Sequence, residues 1–94
     1  MVVSLKFVGS FRGISGKDGL ELKFVRPVSL KTLVKKTVEK LPKLKSSLVD
    51  PESGEPRRTM LVLVNGKEIS VLNGLDTRVK DEDEVVFVPV VHGG

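Results

Sequence analysis

The sequence predicts an α+β domain, with one main helix on one face of a mixed sheet of about five strands. Three observations carry this expectation. Two alternating apolar runs open the chain, at Val3, Leu5 and Phe7 and at Leu20, Leu22 and Phe24. A single amphipathic segment follows. Two runs that are apolar on both sides, 60–64 and 85–91, close it.

Residues 2–11 alternate, with Val3, Leu5 and Phe7 on one face and Ser4, Lys6 and Ser10 on the other, as a half-buried strand requires. The stretch from Arg12 to Gly19 contains Gly13, Gly16, Asp18 and Gly19, which is turn chemistry. Leu20, Leu22 and Phe24 then alternate with Glu21 and Lys23, so the two runs pair as a hairpin with a longer loop. Arg26-Pro27 ends the second strand, and Ser29 stands at an N-cap position. At helical spacing, Leu30, Leu33, Val34, Thr37, Val38 and Leu41 share one arc, opposite Lys31, Lys35, Lys36, Glu39 and Lys40. The expected helix has about three turns and stops at Pro42.

Residues 42–59, with Pro42, Pro51, Pro56, Ser53 and Gly54, read as a long loop. A short helical turn is expected within 43–49, because structureless loops of that length are uncommon. Met60-Leu61-Val62-Leu63-Val64 is a strand, and Asn65-Gly66 is the strongest hairpin signal in the chain. Lys67-Glu68-Ile69 is the short return strand. Asn73-Gly74 and Lys80-Asp81-Glu82-Asp83 read as turns before the final strand, 85–91.

At 94 residues the chain is one domain with a modest core. A hydrophobic fraction of 39% and a charged fraction of 30% fit a soluble globular protein. No apolar run approaches the roughly 20 residues of a membrane span. The start shows no signal-peptide pattern, so the cytoplasm is expected. Cysteine is absent and there is one histidine, which excludes a disulfide, a thiolate nucleophile and a metal site built on Cys or His clusters. A Lys/Glu-rich chain without Gln and with little Asn leans towards a thermophilic composition. The net charge of +4 is modest. The helix lysines are not interleaved with aromatics, and Trp and Tyr are absent, which argues against a single-strand stacking platform.

One helix covers one face of a sheet. A strand pair, a crossing helix and later strands place the first and last strands side by side and parallel in the simplest solution. That is the β-grasp arrangement. It leaves one sheet face to water, yet strands 60–64 and 85–91 are apolar on both sides. Either the loop 42–59 covers them, or they form an exposed apolar patch of the kind that meets a protein partner.

The chain ends in Gly93-Gly94 directly after an apolar strand. Without Cβ atoms this dipeptide can enter a slot that admits only backbone, and it presents an unhindered carboxylate. The second half of the chain resembles the ubiquitin-like sulfur-carrier family: the small subunit of molybdopterin synthase, the thiamine sulfur carrier, the ubiquitin-related modifier and the small archaeal modifier proteins. The resemblance runs from Met60-Leu61-Val62-Leu63-Val64-Asn65-Gly66 through Leu72-Asn73-Gly74-Leu75-Asp76-Thr77 and Val79 to Val85, and closes at Phe87-Val88-Pro89-Val90-Val91-His92-Gly93-Gly94. Glu82 stands where the family usually has Gly, which opens that turn to a local change of backbone. The first half matches by pattern only.

The resemblance implies a carrier rather than an enzyme, with a β-grasp domain over 1–88 and a flexible tail over 89–94. Gly93 and Gly94 would be the reactive end, adenylated by a ubiquitin-activating-type partner that uses ATP. The chain itself would hold no stable cofactor and no metal. The product would be a Gly94 thiocarboxylate for molybdopterin biosynthesis or tRNA thiolation, an isopeptide bond to a target lysine, or both. A sulfur donor, the large molybdopterin synthase subunit and lysine-bearing proteins are the further partners; no nucleic acid or membrane is expected to bind directly. Matching the terminal glycines to those of ubiquitin puts Val88 at an exposed apolar contact position. The partner-binding set is then Leu61, Leu63, Val86 and Val88, joined by His92 and by Pro89, whose missing N–H suits it to end sheet pairing. A covalent modifier only, or a non-conjugating interaction module on the same fold, is the alternative.

Overall fold

A computed structural model describes residues 1–90. Strand β1 (Val2–Phe7) buries Val3, Leu5 and Phe7 and turns Ser4 and Lys6 away. The glycine-rich segment after it is more than a turn: it holds helix α1 (Ser10–Ser15), which buries Phe11. Gly9 and Gly16, at φ 58° and 71°, bracket this helix with left-handed backbone that a side chain would disfavour. Strand β2 (Gly19–Lys23) follows, then β3 (Val28–Ser29) and helix α2 (Leu30–Lys40). Ser29 caps α2, its hydroxyl accepting from the Thr32 N–H at 3.2 Å. Leu30, Leu33, Val34 and Thr37 form the buried face, and the Thr37 hydroxyl is satisfied by donating to the Leu33 carbonyl at 2.8 Å.

A 3₁₀ turn (Pro42–Leu44) and the short helix α3 (Lys45–Leu48) occupy the expected irregular region. Leu44 and Leu48 are fully buried, and Lys31 of α2 pairs with Glu55 of the same region at 2.9 Å. The hydrogen bond and negative charge of Glu55 hold the exposed Lys31 amine above its ordinary value. Strand β4 (Met60–Val64) and strand β5 (Lys67–Glu68) meet across Asn65-Gly66, whose φ values of 51° and 83° are both positive, the signature of a type I′ hairpin. Two 3₁₀ turns (Ile69–Val71 and Gly74–Asp76), strand β6 (Arg78–Val79) and strand β7 (Glu84–Pro89) complete the described chain.

The main sheet has the order β2-β1-β7-β4-β5, with β1 and β7 parallel and the other pairs antiparallel. This is the β-grasp arrangement. Strands β3 and β6, of two residues each, form a separate ribbon. The core lies between the sheet and α2, with Phe7 and Phe87 side by side on the parallel pair, ring centroids 6.4 Å apart. No helix among the described residues is long and apolar enough to cross a membrane.

Candidate functional site

Strand β7 lies between β1 and β4 and is the last strand before the Gly-Gly end in the sequence. Alternation divides it cleanly: Val85 and Phe87 are fully buried, whereas Val86 and Val88 are partly exposed. Strand β4 does the same, with Val62 and Val64 buried and Leu61 and Leu63 partly exposed. The antiparallel register sets Leu61 opposite Val88 and Leu63 opposite Val86. Four apolar side chains expected from the sequence therefore form one contiguous stripe on the face away from α2. Opposed apolar pairs of this kind pack against each other and contribute to strand pairing.

The segment 42–59 does not cover the stripe. Its Leu44 and Leu48 belong to the core on the helix side. A salt bridge between Lys6 and Glu84, 3.0 Å long, frames the stripe at one end. Val8, 36% exposed, continues the outward alternation of Lys6 beside β7, and its N–H donates to the Phe87 carbonyl at 3.3 Å. Val8 enlarges the apolar surface. The alternation that turns Ser4 and Lys6 outward turns Val8 outward as well, so its place was legible in the sequence although the expected patch did not include it.

Pro89 differs from expectation in an instructive way. It does not end the pairing: β7 runs through it, opposite Met60, and the Val90 N–H donates to the Thr59 carbonyl at 3.3 Å. Antiparallel pairs alternate between hydrogen-bonded and non-hydrogen-bonded. Thr59 and Val90 form a hydrogen-bonded position, so Met60 and Pro89 form the other kind, and the missing N–H is not required. Pro89 instead packs against Gly9, where an added Cβ would lie 3.0 Å from the proline Cγ. His92, Gly93 and Gly94 lie outside the described residues.

The other end of β7 is anchored by an acidic turn. Asp81 accepts from the Val2 N–H at 2.7 Å, and the Glu82 N–H donates to the Val2 carbonyl at 2.8 Å. Asp83, 6% exposed, accepts from the Asn65 carboxamide at 2.9 Å and from the Lys80 N–H at 2.8 Å. Glu82 adopts a left-handed φ of 69°, a region that favours glycine. Among the described residues no group of His, Cys, Asp and Glu is arranged to hold a metal ion.

The ThiS family model matches residues 5–94. No curated protein matches the chain. Among solved structures, the small archaeal modifier protein 1 of Methanosarcina acetivorans is 27% identical, with 99% of this chain and 96% of that chain covered and a TM-score of 0.83. Urm1 of Trypanosoma brucei is 29% identical over 99% of this chain and 95% of that chain, with a TM-score of 0.78. SAMP1 of Haloferax volcanii, 20% identical with full coverage of both chains, matches the fold at a TM-score of 0.87. The sequence match across nearly the whole chain, together with the β-grasp sheet, shows that this protein belongs to the ThiS family of ubiquitin-like sulfur carriers and modifiers.

Proposed function

We propose that this protein is a carrier whose Gly94 carboxylate is activated by an ATP-dependent partner and then loaded with sulfur. A carboxylate is a poor electrophile because its leaving group would be oxide. Attack of a carboxylate oxygen on the α-phosphorus of ATP releases pyrophosphate and gives an acyl-adenylate. Hydrosulfide released by a sulfur donor then attacks the acyl carbon and AMP departs, leaving the thiocarboxylate. If a lysine amine attacks instead, the product is an isopeptide bond. The first step is common to both outcomes.

The observation that carries this reading is the apolar stripe of Leu61, Leu63, Val86 and Val88 on the two strands beside the root of the tail. It offers the activating enzyme a docking face from which the tail can reach its catalytic site. The relatives support the same reading. One 22% identical structure is a putative molybdopterin converting factor subunit 1 from Pyrococcus furiosus. Another, 25% identical, is that of the Amycolatopsis orientalis BexX/CysO complex. The protein acts as the partner's substrate and is not itself a catalyst. The modifier reading is kept by the likeness to small archaeal modifier protein 1.

Intact-mass measurement of the protein purified from its own cells tests this. Replacement of one oxygen by sulfur at Gly94 is the expected product. High-mass species linked through lysine, lost on deletion of Gly93-Gly94, would establish conjugation instead. If neither product forms and a candidate activating enzyme turns over no ATP in the protein's presence, the carrier reading fails.

A further inference from the structure

A second surface lies on the other side of β4, away from the apolar stripe and independent of the tail chemistry. Strand β5 pairs with β4 only at Leu63 and Val64, so among the described residues the Met60 end of β4 has no strand neighbour on that side. Because the peptide groups of Thr59 face β7, alternation turns those of Met60 to the open edge. Against this edge lies a groove of about 440 Å³. Met60, Val62, Ile69 and Leu75 make its apolar lining, which Arg57 and Arg58 join.

The groove carries two positive charges, Arg57 and Arg58, against one negative, Glu68. Its acidic member, Glu68, is engaged: its carboxylate accepts from the Ser70 N–H at 2.9 Å and from the Ser70 hydroxyl. Arg57 spends its Nε on the Ser46 carbonyl at 2.9 Å, which holds the guanidinium in place and leaves its terminal nitrogens available. Arg58 is exposed and forms no ion pair among the described residues. An open strand edge supplies main-chain hydrogen bonds, an apolar hollow supplies a side-chain pocket, and arginine side chains supply cationic donors for a carboxylate.

We propose that this groove docks an extended acidic segment of a partner protein. The segment adds to the edge of β4 at Met60, seats an apolar side chain on Met60, Val62, Ile69 and Leu75, and places a carboxylate on Arg57 and Arg58. The site lies next to Thr59, which holds the root of the tail through Val90. A partner bound there would leave the outward stripe uncovered.

The test is a titration of the isotopically labelled protein with a blocked peptide of two leucines flanked by aspartates, followed by amide chemical shifts. Shifts concentrated at Met60, Val62, Ile69, Ser70 and Leu75 are expected. Arg58→Glu should weaken binding tenfold or more with the spectrum otherwise intact. Val88→Asp should leave binding unchanged. Methylating the peptide's central amides should weaken it as Arg58→Glu does. The proposal is overturned if a control peptide with lysines in place of the aspartates binds equally well, or if shifts map to Leu61, Leu63 and Val86. It is equally overturned if a short RNA perturbs the groove and the acidic peptide does not.

Discussion

The carboxamide of Asn65 donates to the Asp83 carboxylate at 2.9 Å and accepts from the Glu84 N–H at the same distance. These bonds tie the hairpin between β4 and β5 to the turn that launches β7, the strand leading to the tail. Asn65 is fitted to the place twice over, since it tolerates the φ of 51° that the hairpin demands. Asn65→Ala removes both bonds and leaves the nearly buried Asp83 with one partner fewer. It should destabilise the fold by about 1–3 kcal/mol, read as a lowered urea midpoint with an unchanged slope.

Glu82 sits at φ 69° with its side chain in solvent, so its conformation is imposed by the bonds that Asp81, Glu82 and Asp83 make around it. An L-residue in this region is disfavoured by roughly 1–2 kcal/mol, part of which is returned when glycine enlarges the unfolded ensemble. Glu82→Gly should therefore raise stability by about 0.5–1 kcal/mol. Thermal unfolding checks it. A lowered melting temperature would show that the glutamate side chain stabilises the turn by a contact of its own.

Val88 and Phe87 are neighbours on one strand with opposite duties. Phe87 is fully buried against Phe7, so Phe87→Ala should cost about 3–5 kcal/mol of stability. Val88 faces outward opposite Leu61. Val88→Asp should change stability by no more than about 1 kcal/mol while sharply reducing adenylation by the activating enzyme. Measuring ATP–pyrophosphate exchange alongside denaturant unfolding separates the two. Exchange at the native rate in Val88→Asp would remove the stripe from the docking role.

Much of this arrangement was legible because burial imposes simple periods. Leu61 and Leu63 against Val62 and Val64 follow the two-residue repeat of a strand, and Ser29 announces the helix whose Leu30, Leu33 and Val34 face inward. Asn65-Gly66 declares its hairpin because few residues accept positive φ in succession. The hidden parts lack such periods. Helix α1 has six residues and one buried anchor, Phe11, so its glycines speak louder than its pattern. The β3–β6 ribbon is two residues wide. The groove beside β4 depends on β5 stopping after Glu68, a tertiary fact that leaves no local mark. The effect of Pro89 depends on which way the neighbouring pairs point, which local sequence does not encode.

Gly9 completes the framing of the tail root. Its φ of 58° favours glycine, and an added Cβ would approach the Pro89 Cγ to 3.0 Å, closer than relaxed packing allows. Gly9→Ala therefore meets two obstacles, backbone strain of roughly 1–2 kcal/mol and a clash with the ring of Pro89. Relief comes either from moving α1 or from displacing Pro89 away from Gly9. The expected outcome is a destabilisation of about 1–3 kcal/mol with amide shifts spreading from Val8 to Val90. Gly9→Ala combined with Pro89→Ala should recover the part of the loss due to the clash and leave the backbone strain, because the ring that opposes the new methyl is gone. If the double variant is no more stable than the sum of the two single changes predicts, Gly9 is required for its backbone alone.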